Sequence, residues 1–226
     1  MDSNDAQAHI TAFWSTVADG YEAHGGNVAE YGSSAYQTWV AALAAVLPDA
    51  PGDVLDVATG TGYVALAVAS LGHRVTAIDL APAMLAELAG HASTRGLAID
   101  ARLGDAVAPD FPATSFDAIT SRHLLWTLRE PAAAMANWRS LLRPGGRLIA
   151  VDGFWFTEWN DDKAPPLFAE HYTTTTRAQL PFMHLDEPDP ILAALSAAGY
   201  VDVNATPRPD LDVGSGVPYV ITAANP

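Results

Sequence analysis

The chain has 226 residues, 50% of them hydrophobic, with 26 acidic against 11 basic side chains and no cysteine. That length and balance predict one α/β domain with a well-buried core and argue against a disordered tail. A formal charge of −15 without a basic stripe argues against nucleic-acid and anionic-membrane partners, and the lack of cysteine excludes disulfides, thiolate metal sites and Cys nucleophiles. No apolar run approaches the ~20 residues of a membrane span, and the opening MDSNDAQAHI is too acidic and polar for a signal peptide. A cytoplasmic protein is expected.

In chain order, residues 1–50 read as two helices, about 5–19 and 34–47, joined by the aromatic, Gly-rich GYEAHGGNVAEYGSS. Short apolar, β-branched runs follow at 53–58 (DVLDVA), 74–79 (RVTAID), 99–104 (IDARLG), 116–121 (FDAITS) and 147–152 (RLIAVD). Helical spacing fills the gaps after the first, second and fourth runs. Pro82 and Pro131 stand at first-turn positions and RPGG closes the last of these helices. Such alternation predicts a parallel sheet with helices on both faces. Residues 153–187 interrupt it with an aromatic-rich insertion expected to act as a lid. Another helix and two more strands, separated by a Pro/Gly-rich turn, complete the pattern, with no domain boundary in 1–226.

Open parallel sheets bind ligands at the carboxyl ends of their strands. Here the first strand ends in Asp56, Ala58, Gly60 and Gly62, where glycines let the backbone turn and a ligand approach. The second ends at Asp79, suited to two ribose hydroxyls, and the third at Gly104 and Asp105, suited to an adenine edge. The fourth ends at Ser121, Arg122 and His123, near where a reacting group would sit. Together these ends describe a nucleoside-binding crevice. GTGYVA also satisfies a dinucleotide fingerprint, with Asp79 at about the ~20-residue separation of an NAD ribose contact. Asp56 beside the loop, the third acid at Asp105 and the helix with two closing strands pull against NAD.

VLDVATGTGYVAL, VTAIDLAPAML, LGDAVAPDFPATSFDAITSRHLLWTL and WRSLLRPGGRLIAVDGFW, taken in order, resemble the motifs of class I S-adenosylmethionine (SAM) dependent methyltransferases of the ubiquinone-biosynthesis-like small-molecule branch. FWSTVADGYEAH is similar to that branch's opening helix. The resemblance runs from about residue 10 onward, weakest over 153–187. It implies a doubly wound, Rossmann-like, seven-stranded sheet, mostly parallel with an antiparallel last strand, under an N-terminal helical cap and the lid insertion. It departs from the family's pattern at Ala58, where a glycine is usual, and at Ala81, which removes a serine helix cap.

The resemblance further implies SAM as cofactor and S-adenosylhomocysteine as its product. Asp56, Ala58, Gly60 and Gly62 would line the methionine portion, Asp79 would take the ribose, and Leu80 and Met84 the adenine face. Asp105 and Ala106 would read the adenine edge, with Tyr21 and Ser121 also near the cofactor. A SAM-binding protein with a non-methylating activity, such as a cyclase, and an NAD-dependent oxidoreductase stay open as alternatives.

Methyl transfer to a hydroxyl or similar group gains from a general base, for which histidine suits neutral pH. Of seven histidines, His123 follows a ligand-side strand end and is the best placed. His24, His171 and His184 fall in the two lid segments, with His171 and Tyr21 as further candidates for a catalytic role. His73, His91 and His9 lie in a turn, near a helix end and in the first helix. No metal-ligand spacing appears: WNDDK and HLDEPD offer carboxylates without a cage. Trp14, Tyr21, Tyr31, Tyr36, Trp126, Phe154, Trp155, Phe156, Trp159, Phe168, Tyr172 and Phe182 predict a small aromatic acceptor, in keeping with bacterial natural-product tailoring. A monomer or homodimer is expected.

Overall fold

The computed structural model describes residues 3–21, 30–157, 164–211 and 217–226; His24, Trp159 and the WNDDK carboxylates lie outside them. Seven strands form one sheet: β1 Asp53–Val57, β2 Arg74–Asp79, β3 Ile99–Leu103, β4 Phe116–Arg122, β5 Leu142–Asp152, β6 Val201–Pro207 and β7 Tyr219–Ala224. Their order is β3-β2-β1-β4-β5-β7-β6. The first five pair in parallel, and β7 runs antiparallel between β5 and β6. This is the doubly wound, mostly parallel architecture implied above.

The sheet's two faces explain why its strands read as continuous apolar runs. Along β1, Val54 packs with Val75, Ala77, Ala118 and Ile149 beneath helices α2 (Ser34–Ala44), α3 (Tyr63–Ser70) and α4 (Pro82–Arg95). Its neighbour Leu55 packs on the other face with Ile119, Leu148 and Ile221 beneath α5 (Pro131–Leu141) and α8 (Asp189–Ala197). Trp138 of α5 is fully buried there, and its indole N–H donates to the Ala106 carbonyl at 2.6 Å. Removing that ring would cost about 3–5 kcal/mol.

Local chemistry sets most boundaries. Ser33 Oγ accepts the Tyr36 N–H and starts α2, and Gly96, in the left-handed region at φ 63, stops α4. Strand β5 begins at Leu142 rather than at the expected Arg147. Pro144–Gly146 do end α5, but Asn225 recruits them into the sheet: Gly145 N–H donates to the Asn225 carbonyl and Asn225 N–H to that of Gly146.

The two N-terminal helices divide their duties. Helix α2 joins the layer over α3, whereas α1 (Ser3–Val17) packs on α6 (Pro166–His171) and α7 (Thr174–Arg177). Ile10, Phe13 and Trp14 of α1 meet Trp126, Phe168, Tyr172, Leu180 and Met183 in a separate apolar cluster. Among the described residues no helix is long and apolar enough to cross a membrane.

Candidate active site: a crevice at the carboxyl ends of the strands

The crevice opens above β1, β2 and β4 and is closed on one side by α1. Asp56, next to last in β1, is buried at 1% exposure. Its two carboxylate oxygens accept the hydroxyls of Thr120 and Thr59, each at 2.6 Å. Burial nevertheless pushes this carboxyl up to about 6, against those hydrogen bonds and the Arg122 charge.

The loop after β1 then turns through Ala58 at φ 52 and Gly60 at φ 56. A Cβ on Gly60 would meet nothing nearer than Met84 Sδ at 4.0 Å, so this glycine leaves open space beside the crevice. Gly62 differs. At φ 91, a Cβ there would lie 2.1 Å from Leu88 Cδ1, so Gly62 is spent on packing α3 against α4 and does not line the crevice.

Asp79, at the end of β2, uses both oxygens on the backbone: Gly60 N–H donates at 2.8 Å and Ala81 N–H at 2.9 Å. The second contact, with Pro82 in the first turn, starts α4 without a capping side chain at Ala81. Burial raises the Asp79 carboxyl above its usual range, and the backbone donors oppose that shift. Leu80 and Met84 face the same space, beside Tyr21. Beyond β3, Asp105 Oδ1 accepts the Val107 N–H at 2.8 Å, which fixes the turn that brings Asp105 and Ala106 to the wall.

At the end of β4 the backbone enters the left-handed region again, at His123 with φ 54. Its Nε2 is buried and has no hydrogen-bond partner, and its ring lies 4.6 Å from that of Trp155, edge to face. Burial, then the Arg122 charge, hold its pKa well below the ordinary histidine value, so the imidazole is neutral near pH 7. Behind it Asp152 accepts the N–H groups of Leu125 at 2.7 Å and Gly153 at 2.9 Å. Burial pushes Asp152 up to about 7.

Ten of the residues given cofactor-binding or catalytic roles from the sequence line one crevice: Tyr21, Asp56, Ala58, Gly60, Asp79, Leu80, Met84, Asp105, Ala106 and His123. Gly62, Ser121 and His171 do not. Ser121 is buried within β4 at 1% exposure, and His171 sits on α6 with its ring against His9 and Phe13 of α1. Of the twelve aromatic candidates, Trp14 and Tyr21 reach the crevice among the described residues. Trp126, Phe156, Phe168 and Tyr172 instead pack on one another.

The expected roles omitted a polar wall. Gln7 and Thr11 line the crevice from α1 beside the expected Trp14, with Arg122, Thr127 and Arg129 also on the lining. The i, i+4, i+7 spacing of the first three was the available signal. Arg129 Nε donates to Gln7 Oε1 at 3.0 Å. Trp14 and Thr127 are tied together through the buried Tyr172 hydroxyl, at 3.1 and 2.9 Å.

A seven-stranded sheet of this order, with an acid at each of the first two strand ends and a third after β3, is the architecture of class I SAM-dependent methyltransferases. Residues 55–150 match the family model described as methyltransferase domain. The chain is 38% identical over 110 residues to a ubiquinone biosynthesis O-methyltransferase of Xanthomonas axonopodis, a match covering 47% of this chain and 45% of that protein. With nocamycin O-methyltransferase of Saccharothrix syringae it shares 40% identity over 100 residues, covering 42% and 36%. The chain thus spans about half the length, or less, of the curated relatives it matches. Among solved structures, a Haemonchus contortus phosphoethanolamine N-methyltransferase superposes with TM-score 0.68 at 17% identity, over 94% of this chain and 58% of that one. The [4+2]-cyclase SpnF superposes with TM-score 0.66 at 21% identity, over 98% and 96%. These two likenesses establish the fold.

Proposed function

We propose that the protein transfers a methyl group from SAM to a small-molecule acceptor bound between α1 and the end of β4. The observation that carries this reading is the juxtaposition, in one crevice, of three acids from successive strand ends with the buried, unpartnered Nε2 of His123. The open space beside Gly60 fits a cofactor that approaches the backbone closely. When bound, SAM supplies a methyl group made electrophilic by its sulfonium.

The chain's own residues do the rest. Asp79, which accepts backbone N–H groups of Gly60, Ala81 and Leu80, keeps acceptor capacity for the ribose hydroxyls. Asp105 and the Ala106 backbone would read the adenine edge, with Leu80, Met84 and Leu128 on the same lining to meet its faces. Asp56, with the carbonyls of the loop it braces, faces the methionine ammonium. Neutral His123 takes the acceptor's proton at Nε2 as the new bond to carbon forms. Its lowered basicity suits an acceptor whose own O–H is acidic, as a phenol's is. Helix α1 closes one side of the crevice against water, and alignment at short range lowers much of the barrier.

Trp14 and Tyr21 support an aromatic acceptor, and the nocamycin enzyme and SpnF among the relatives support a place in natural-product assembly. The SpnF likeness also keeps a second reading, in which SAM is bound and not consumed. Calorimetric titration with S-adenosylhomocysteine and with NAD, followed by assays with methyl-labelled SAM and phenolic acceptors, tests the proposal. Micromolar binding of the first ligand alone and labelled product are expected. Binding without any methyl transfer would favour the second reading, and binding of NAD alone would overturn both.

A further inference from the structure

The two edge strands of the sheet differ. Strand β6 is interrupted: its register with β7 shifts between Val201 and Asn204, Asp202 sits at φ 52, and Pro207 ends it. A bulge and a proline deter pairing with a further strand. Strand β3 has neither, and its register with β2 runs unbroken from Ile99 to Leu103. Gly104 N–H donates to the Asp79 carbonyl of β2, so by alternation the backbone groups of Arg102 and Asp100 also face β2. Those of Ile99, Ala101 and Leu103 point to the open edge. Residues 100–103 are exposed, Leu103 at 64%. Arg102 Nε donates to both Asp100 oxygens at 3.0 Å, on the sheet face opposite to Ile99, Ala101 and Leu103.

We infer that a second copy of the chain docks on this edge, β3 against β3 in antiparallel register about a two-fold axis at Ala101. The strand sequence IDARL is its own complement about that residue. The two Ala101 residues exchange both N–H···O bonds, and Ile99 exchanges both with the second copy's Leu103, which uses every outward group of the strand. Between these pairs Asp100 stands directly opposite the second copy's Arg102, and the reverse, at the closely spaced positions without backbone bonds. An axis at Asp100 or at Arg102 would set like charges face to face instead. Leu103 lies on the same face as Ile99, so it comes beside the second copy's groove lined by Ala89 and Ala92 of α4 with Leu97 and Ile99. That contact covers an apolar side chain otherwise left in water. The contact is isologous and closes after two copies, joining their sheets into one. With a net charge of −15 the copies repel at long range, and the alternating Asp100 and Arg102 charges supply local attraction and fix the register.

Sedimentation equilibrium of the full chain, at physiological salt and from micromolar to sub-millimolar concentration, is expected to show twice the chain mass. The dissociation constant should be micromolar, as suits a contact built on one strand pair. Asp100→Arg and Arg102→Glu should each weaken self-association at least tenfold, since each sets like charges opposite one another. An equimolar mixture of the two variants should dimerise as the parent does, because each strand then meets its opposite. The double variant Asp100→Arg/Arg102→Glu, with the pattern inverted, should dimerise as well, which separates lost pairing from lost folding. A parent that is monomeric over the whole range, or single variants that dimerise as tightly as the parent, would overturn the proposal. So would a mixture and a double variant that both stay monomeric.

Discussion

Asp79 accepts the backbone N–H of Gly60 at 2.8 Å, so the acid that ends β2 holds the loop that leaves β1. Ligand binding and loop geometry therefore share one carboxylate. Asp79→Ala is expected to weaken S-adenosylhomocysteine binding at least tenfold and to cost about 1–3 kcal/mol of stability, since the partly buried backbone donors of Gly60, Ala81 and Leu80 lose their acceptor. Calorimetry and thermal melting read the two effects separately. Unchanged affinity would remove Asp79 from the ribose role.

Gly62 presents a different case, since its demand is steric. Gly62→Ala places a methyl group 2.1 Å from Leu88 Cδ1 at a backbone φ of 91. Overpacking and the left-handed strain each cost about 1–3 kcal/mol. The expected result is a lower melting temperature, with ligand affinity lost only in proportion to unfolding. A variant as stable as the parent would refute this packing.

For His123, rate and affinity should part company. His123→Ala is expected to lower turnover about 100-fold or more, the range of a lost general base, with S-adenosylhomocysteine affinity within threefold of the parent. Because burial and Arg122 keep the imidazole neutral, the pH–rate profile should be flat from pH 6.5 upward as far as His123 is concerned and fall only in acid. Parallel losses of rate and affinity would make His123 a cofactor-positioning residue.

Asp152 should leave its mark on stability against pH. Its folded pKa of about 7 stands above the ordinary 3.8. Between those values the native state keeps a proton that the unfolded chain has lost, so Asp152 favours folding in acid and that contribution disappears as pH rises through 7. One such group gives a slope of about −1.4 kcal/mol per pH unit in that window. Denaturant titrations from pH 4 to 8 should show this slope diminished in Asp152→Asn. The same slope in both proteins would place the proton elsewhere.

Tyr172 joins Trp14 of α1 to Thr127 across a fully buried hydroxyl. Tyr172→Phe should cost about 1–3 kcal/mol for the polar atoms left buried and raise the acceptor KM more than it lowers kcat, because Trp14 and Thr127 both line the crevice. Steady-state kinetics with the phenolic acceptor check the split.

The sequence by itself determined the five parallel strands, the helices between them and the acids at the strand ends. Apolar periodicity, proline and glycine punctuation and strand-end chemistry are local properties, and Asp56, Asp79 and Asp105 could be read from them. What the tertiary structure decided were matters of direction and partnership. Gly60 and Gly62 are equivalent in a motif, yet one faces the crevice and the other faces Leu88, because α4 returns against only one of them. The aromatic residues of 153–187 look alike as ring-stacking candidates, but among the described ones Trp155, Phe156, Phe168 and Tyr172 belong to the apolar cluster that packs against α1. Arg122 appeared as an ordinary strand-end residue. Only the meeting of β4 with α2 and α3 sets its guanidinium against Tyr63 and Trp39, among buried acids far away in the chain. Such long-range contacts are made by the folded sheet, and no spacing along the chain encodes them directly.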